Sequence, residues 1–130
     1  MAATDEPSRS LEAARKDLRA IIGMVHDRET FVDEVFGFHA QQAVEKALKA
    51  WLSQLGAEYP KTHDLDELFA LLADSGGQVP AELSDLRDLA DFAVQYRYEA
   101  FDEPLPIDRE ATVARVKAFV ALAAAQVGTN

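Results

Sequence analysis

Cysteine is absent from the 130-residue chain. That excludes disulfide frameworks, thiolate metal sites and cysteine nucleophiles, and it fits a reducing compartment. Histidine is scarce: His26, His39 and His63 fall in three separate segments without HExxH spacing, and there is no EF-hand loop, so neither a metal nor a cofactor is expected. Positive charge is also short, with 13 Lys and Arg against 23 Asp and Glu, a net charge of −10. Such a field repels phosphate backbones and argues against non-specific nucleic-acid binding. Met1 to Ser10 is polar with no signal-like core, and no run approaches the roughly eighteen apolar residues of a membrane helix. The expectation is a cytoplasmic protein without membrane contact, with residues 1–7 as a disordered tail. Gly76-Gly77 lacks the Lys-Ser/Thr of a phosphate loop, and the few serines sit in no elbow motif.

What the chain does have is helical periodicity. Leu11, Ala14, Leu18, Ile21, Ile22 and Val25 recur at three- and four-residue steps, which predicts a helix from about Ser8 to His26, with Glu12, Arg15, Lys16, Asp17 and Arg19 on its other face. Phe36, Ala40, Ala43, Val44, Ala47, Leu48, Trp51, Leu52 and Leu55 trace the broadest apolar face, predicting a core helix from Thr30 to Leu55 that stops before Gly56. After Gly56 to His63, Asp64 with Glu67 makes a capping-box pattern ahead of Leu65, Leu68, Phe69 and Leu72, a short helix stopped by Asp74-Ser75-Gly76-Gly77. Pro80 then opens a fourth helix, with Leu83, Leu86, Leu89, Ala90 and Ala93 inward, reaching about Tyr98. Asp108 caps the last, whose stripe is Val113, Val116, Val120, Ala123 and Val127. No stretch alternates as a strand does. The prediction is therefore one all-α domain over residues 1–130, an up-and-down helical bundle of four main helices plus one short helix.

The polar side of the second helix reads Gln41, Gln42, Glu45, Lys46, Lys49. Gln41, Glu45 and Lys49 lie four apart, so spacing alone predicts a solvated face held by weak side-chain pairs. His63 has two readings: a structural bond to a carbonyl or carboxylate across the bundle, or, with Lys61, a grip on an anion at the N-terminus of the next helix. Tyr96, Tyr98 and Phe101 read as packing residues, or as a stacking surface for a base.

The run Phe38-His39-Ala40-Gln41-Gln42-Ala43-Val44-Glu45-Lys46-Ala47-Leu48-Lys49-Ala50 resembles the AxQAxEKxLKA helix of the HEPN family, the higher-eukaryote and prokaryote nucleotide-binding domain. Lys61-Thr62-His63-Asp64-Leu65, followed by Leu68, resembles that family's TH-D/N-L entry to its next helix, and Arg97-Tyr98 resembles its RY element. The three occur in family order over most of the chain. The resemblance implies a helical homodimer that binds a nucleotide, or serves as accessory to a minimal nucleotidyltransferase in a toxin–antitoxin-like pair. It makes Lys46, Lys49, Lys61, His63, Arg97 and Tyr98 the candidate nucleotide-binding residues.

Other members of the family are metal-independent ribonucleases, which use an arginine and a histidine separated by about four to six residues. This chain departs from that pattern, because Arg87, Arg97 and Arg109 all follow the last histidine, His63. Arg19 and His26 have the spacing, but in the first helix. The reading leans to no catalytic centre. A noncanonical ribonuclease, through Arg97 or through Arg19 and His26, and a purely structural dimer with a seam at Glu45, Lys46 and Lys49 stand as alternatives. Light scattering at micromolar concentration should return about twice the chain mass; a value near 14.3 kDa counts against the dimer.

Overall fold

A computed structural model describes residues 5–92 and 107–128. Its helices are α1 (Asp5–Met24), α2 (Asp33–Gln54), α3 (Leu65–Asp74), a 3-10 helix (Ala81–Leu89) and α4 (Arg109–Gly128). No strand occurs among the described residues, and the fold is all-α.

α2 is the centre of the bundle. None of its residues is fully exposed, for α1 and α4 pack on one side of it and α3 with the 3-10 helix on another. Phe36, Ala40, Ala43, Val44, Ala47, Leu48, Trp51 and Leu52 are all buried, as their spacing predicts. The Phe119 ring of α4 packs against Trp51 of α2 and Phe69 of α3, with centroids 6.2 and 5.5 Å apart, so one aromatic cluster ties three helices together. By length and mean hydropathy alone α4 is apolar enough to cross a membrane, although Arg115 and Lys117 break any continuous apolar run. Here it packs on the bundle, burying Val116, Phe119, Val120, Ala123 and Val127.

Helix ends follow local chemistry. α2 and α3 both finish in a Schellman motif. Gly56 N–H donates to Ser53 O and Ala57 N–H to Leu52 O, each at 3.0 Å, with Gly56 at φ +76°; Gly76, at φ +99°, plays the same part after α3. Asp64 caps α3, its carboxylate accepting from Asp66 N–H and Glu67 N–H. Its own N–H donates to Thr62 Oγ1, the bond a capping box would assign to Glu67. Asp108 caps α4 through Ala111 N–H.

Several expectations need correction. α1 begins at Asp5, taking in residues 5–7 of the expected tail with Pro7 in the first turn, and it ends at Met24 rather than His26. α2 starts at Asp33, not Thr30, because Asp27 holds the preceding turn: its carboxylate accepts from Thr30 N–H and its carbonyl from Phe31 N–H. After Pro80 the chain is 3-10 from Ala81 to Leu89 and α-helical only from residue 90 to the last described residue there, 92. Leu83, Leu86 and Leu89 recur every three residues, which puts them on one edge of a three-residue-per-turn helix, and all three are buried. Ala93 and the predicted end at Tyr98 lie outside the described residues. Ile22 and Leu55, expected in the core, are exposed.

One buried cation holds the turn between α1 and α2. The Arg109 side chain, only 1% exposed, donates from Nε to Asp33 Oδ1 and from Nη1 to Met24 O, both at 2.9 Å, and from Nη2 to Phe31 O. Its guanidinium also stands 5.0 Å from the Phe36 ring centroid. Removing it takes three bonds at once, leaving Asp33 with exposed Arg28 alone and Met24 O with only the Asp27 N–H, so Arg109→Ala should cost about 3 kcal/mol in urea unfolding. Arg87, half-exposed and 3.6 Å from Asp66, should cost under about 1 kcal/mol on the same substitution.

Candidate functional site

The polar side of α2 is not a solvated face. Gln41 is fully buried and Glu45 only 3% exposed. The helix is covered there by the segment leading into α3, so the side chains expected to meet water must satisfy one another. Glu45 is the hub. Its Oε1 accepts from Gln41 Nε2 at 2.9 Å and Gln42 Nε2 at 3.4 Å, and its Oε2 from Lys49 Nζ at 3.0 Å. His63 Nδ1 lies 3.0 and 2.9 Å from the two oxygens. A carboxylate only accepts, so Nδ1 carries the proton, and Nε2 has no partner among the described residues on a side chain that is half exposed. Gln41 also donates to the His63 carbonyl at 3.3 Å, and this fastens the segment to α2 twice.

A second carboxylate lies on the adjoining side of α2. Asp17 of α1 is 9% exposed, and its Oδ1 meets His39 Nδ1 at 2.9 Å while its Oδ2 accepts from Lys46 Nζ at 2.6 Å. His39 and Lys46 are two turns apart on one edge of α2, so a single aspartate bridges them across the helix pair. The result is a continuous strip on α2. His39 and His63 form its borders, each with Nδ1 tied to a buried carboxylate, and Gln42, Lys46 and Lys49 lie between them.

The structure thus brings Lys46, Lys49 and His63 together, with Lys61 two residues along the chain from His63. Lys61 is exposed and lines a shallow groove with Glu6, Ser53, Glu58 and Tyr59. Lys49 Nζ stands 5.8 Å from the centroid of the Tyr59 ring. Arg97 and Tyr98, like Tyr96 and Phe101, lie outside the described residues. The N-terminus of α3, where sequence placed an anion beside Lys61 and His63, already holds the Asp64 carboxylate on two of its N–H groups. His63 takes the structural alternative, a carboxylate across the bundle.

Sequence reasoning missed Asp17, His39 and Tyr59. Asp17 carried a signal: it lies three residues after Ala14 and four before Ile21, squarely on the buried stripe, where a carboxylate demands partners. His39 stands seven residues before Lys46 on the same edge. Tyr59, in a connection, had no periodicity to mark it.

A family model for the HEPN domain matches residues 8–126, nearly the whole chain. The chain belongs to the HEPN family. No curated protein and no solved structure gives a significant match. Within this HEPN domain the motif helix is α2, and of the residues that carry the resemblance Gln42, Glu45, Lys46, Lys49, His63 and Asp64 belong to the strip, its carboxylate hub and the cap beside it, while Arg97 and Tyr98 lie outside the described residues. Arg19 and His26 do not share a helix face: Arg19 projects from α1 toward Glu12 at 3.7 Å, while His26 lies past the end of that helix. No cluster of three or more metal-ligating side chains occurs among the described residues.

Burial alone would raise the Glu45 carboxyl, but the hydrogen bonds from Gln41, Lys49 and His63, with the charge of Lys49, outweigh it and hold the group below the ordinary glutamate value. A carboxyl lowered in the folded state stabilises the fold above its unfolded pKa, and that stability is lost as pH falls through the folded value. Glu45→Gln should therefore cost about 2 kcal/mol at pH 7. Urea unfolding of both proteins from pH 7 to pH 3 should show the gap closing below roughly pH 4.3. A gap constant across that range would show that the ionised carboxylate is not what holds the segment.

Proposed function

We propose that this HEPN domain is a nucleotide-binding or accessory module whose ligand-facing surface is the α2 strip of His39, Gln42, Lys46, Lys49 and His63. In this reading it works as a cytoplasmic homodimer beside a minimal nucleotidyltransferase, in a pair of the toxin–antitoxin kind. The observation that carries the reading is the strip itself: two lysines and Gln42 as donors, flanked by two histidines whose Nδ1 atoms are held by buried carboxylates, and mostly built from the residues that carry the family resemblance. Such a row suits phosphate oxygens, which accept and do not donate. Lys61 and the Tyr59 ring extend the surface toward the groove at the end of α2.

The ribonuclease alternative is weaker on geometry. Arg109 is consumed in holding the α1–α2 turn, Arg87 lies against Asp66 and the Phe69 ring, and His26 lies past the end of the helix that carries Arg19; Arg97, the other arginine of that reading, is outside the described residues. The structural alternative has one observation in its favour, since Lys46 and Lys49 already have carboxylate partners and the network explains itself as packing.

Calorimetric titration at pH 6 with ATP, GTP and a short RNA separates these readings. A nucleotide should bind, and Lys46→Ala with Lys49→Ala should weaken it on the order of tenfold, a charge-assisted bond being lost at each lysine. Binding unaffected by the double variant would remove the strip from the site. Silence with all three ligands would favour the interaction module, with a co-purifying protein as its partner. RNA cleavage that survives Arg19→Ala and His26→Ala would exclude those residues as its centre.

A further inference from the structure

The charges of the strip cancel. Asp17 and Glu45 are two carboxylates, Lys46 and Lys49 two ammonium groups, and each lysine lies within 3.0 Å of its acid. A phosphate approaching the strip at neutral pH therefore meets donors but no net positive charge, in a molecule whose whole charge is −10. The two groups able to change this are His39 and His63. Both are turned so that Nδ1 faces a buried carboxylate and Nε2 is available, and their side chains are 32% and 50% exposed. Protonating both turns a neutral strip into one carrying two positive charges. Its new N–H donors would be the Nε2 groups, which no carboxylate of the strip occupies.

Resting on the nucleotide-binding reading, we infer that phosphate binding on this strip is proton-coupled: His39 and His63 take up protons as the anion docks and supply the net charge that holds it. The surroundings favour this over a fixed cationic pocket. His39 is faced by Asp17 from α1 and by Lys46 from its own helix. His63 is faced by Glu45 and Lys49 from α2. The charged groups near it in sequence are Lys61, Asp64 and, in the first turn of α3, Asp66 and Glu67. Each imidazolium would thus keep its carboxylate partner, and a bound phosphate on Nε2 would give it a second. The remaining histidine, His26, lies in the connection between α1 and α2 and is not part of the strip, and it serves as the internal control.

The test is calorimetric titration of the full chain with ATP at pH 5.5, 6.5 and 7.5, each in two buffers of different ionisation enthalpy, so that protons taken up on binding are counted directly. A terminal phosphate itself titrates near pH 6, so sulfate, dianionic throughout, is titrated in parallel. We expect affinity for both ligands to be at least on the order of tenfold tighter at pH 5.5 than at pH 7.5, with one to two protons taken up. Paired His39→Gln and His63→Gln should abolish the uptake and flatten the profile for sulfate, and His26→Gln should leave both unchanged. The proton count on the unaltered protein needs no variant, so it stands even where the double substitution impairs folding. ATP binding with no proton uptake and no pH dependence for sulfate would overturn the inference and leave the nucleotide reading intact. Absence of binding at pH 5.5 as well as at pH 7.5 would overturn both.

Discussion

Glu45 is an ionised carboxylate in the middle of a helix that has no open face, and much of the molecule is arranged around that constraint. An uncompensated charge in such a place costs several kcal/mol. Four side chains, Gln41, Gln42, Lys49 and His63, converge on its two oxygens to offset that cost. Three of them come from α2 itself. The fourth comes from the segment before α3, so the need of Glu45 for donors fixes where that segment runs. Asp64 caps α3 one residue beyond His63, which means that the position of α3 also follows from how a buried acid is satisfied.

Arg109 solves the mirror problem at the start of α2. A buried cation needs acceptors, and it finds them in the last carbonyl of α1, a carbonyl of the following turn and the first-turn aspartate of α2. Between these two anchors Asp17 joins α1 to α2. Alanine, leucine and valine stripes bury area in several registers of nearly equal energy, whereas a carboxylate or guanidinium with named partners is satisfied in one. The apolar faces thus explain that a bundle forms, and the three polar anchors explain how its helices are set against one another.

The apolar faces were legible in the sequence for the same reason. The stripe of α2, the caps Asp64 and Asp108 and the stops at Gly56 and Gly76 all follow from rules acting within a few residues, and the structure reproduces them. What was not legible depends on contacts remote in sequence. Gln41, Glu45 and Lys49 at four-residue spacing look the same whether water or another segment lies over them; only the path of the chain to His63 decides. The 3-10 turn after Pro80 was misread because three-residue spacing of leucines also fits an α-helix. Of the candidate strip, Lys46, Lys49 and His63 are named by motif likeness, whereas Asp17 and His39 emerge only once α1 lies against α2.

That the motif of the strip is also the anchor of the fold bears on how it can act. Lys46 and Lys49 cannot be given wholly to a ligand, for Asp17 and Glu45 would then be left buried and under-satisfied. A ligand here has to share these lysines with their carboxylates, contacting the hydrogens that the fold leaves over. An ammonium has three hydrogens and each lysine gives one to its carboxylate, so sharing is stereochemically open. Sharing also means coupling. Whatever draws Lys49 outward loosens its hold on Glu45, and the load passes to His63 and Gln41, the two residues that fasten the connection to α3. A load on the strip would then be felt along residues 55–64 and at the Asp64 cap, the stretch that Gln41 and His63 fasten to α2.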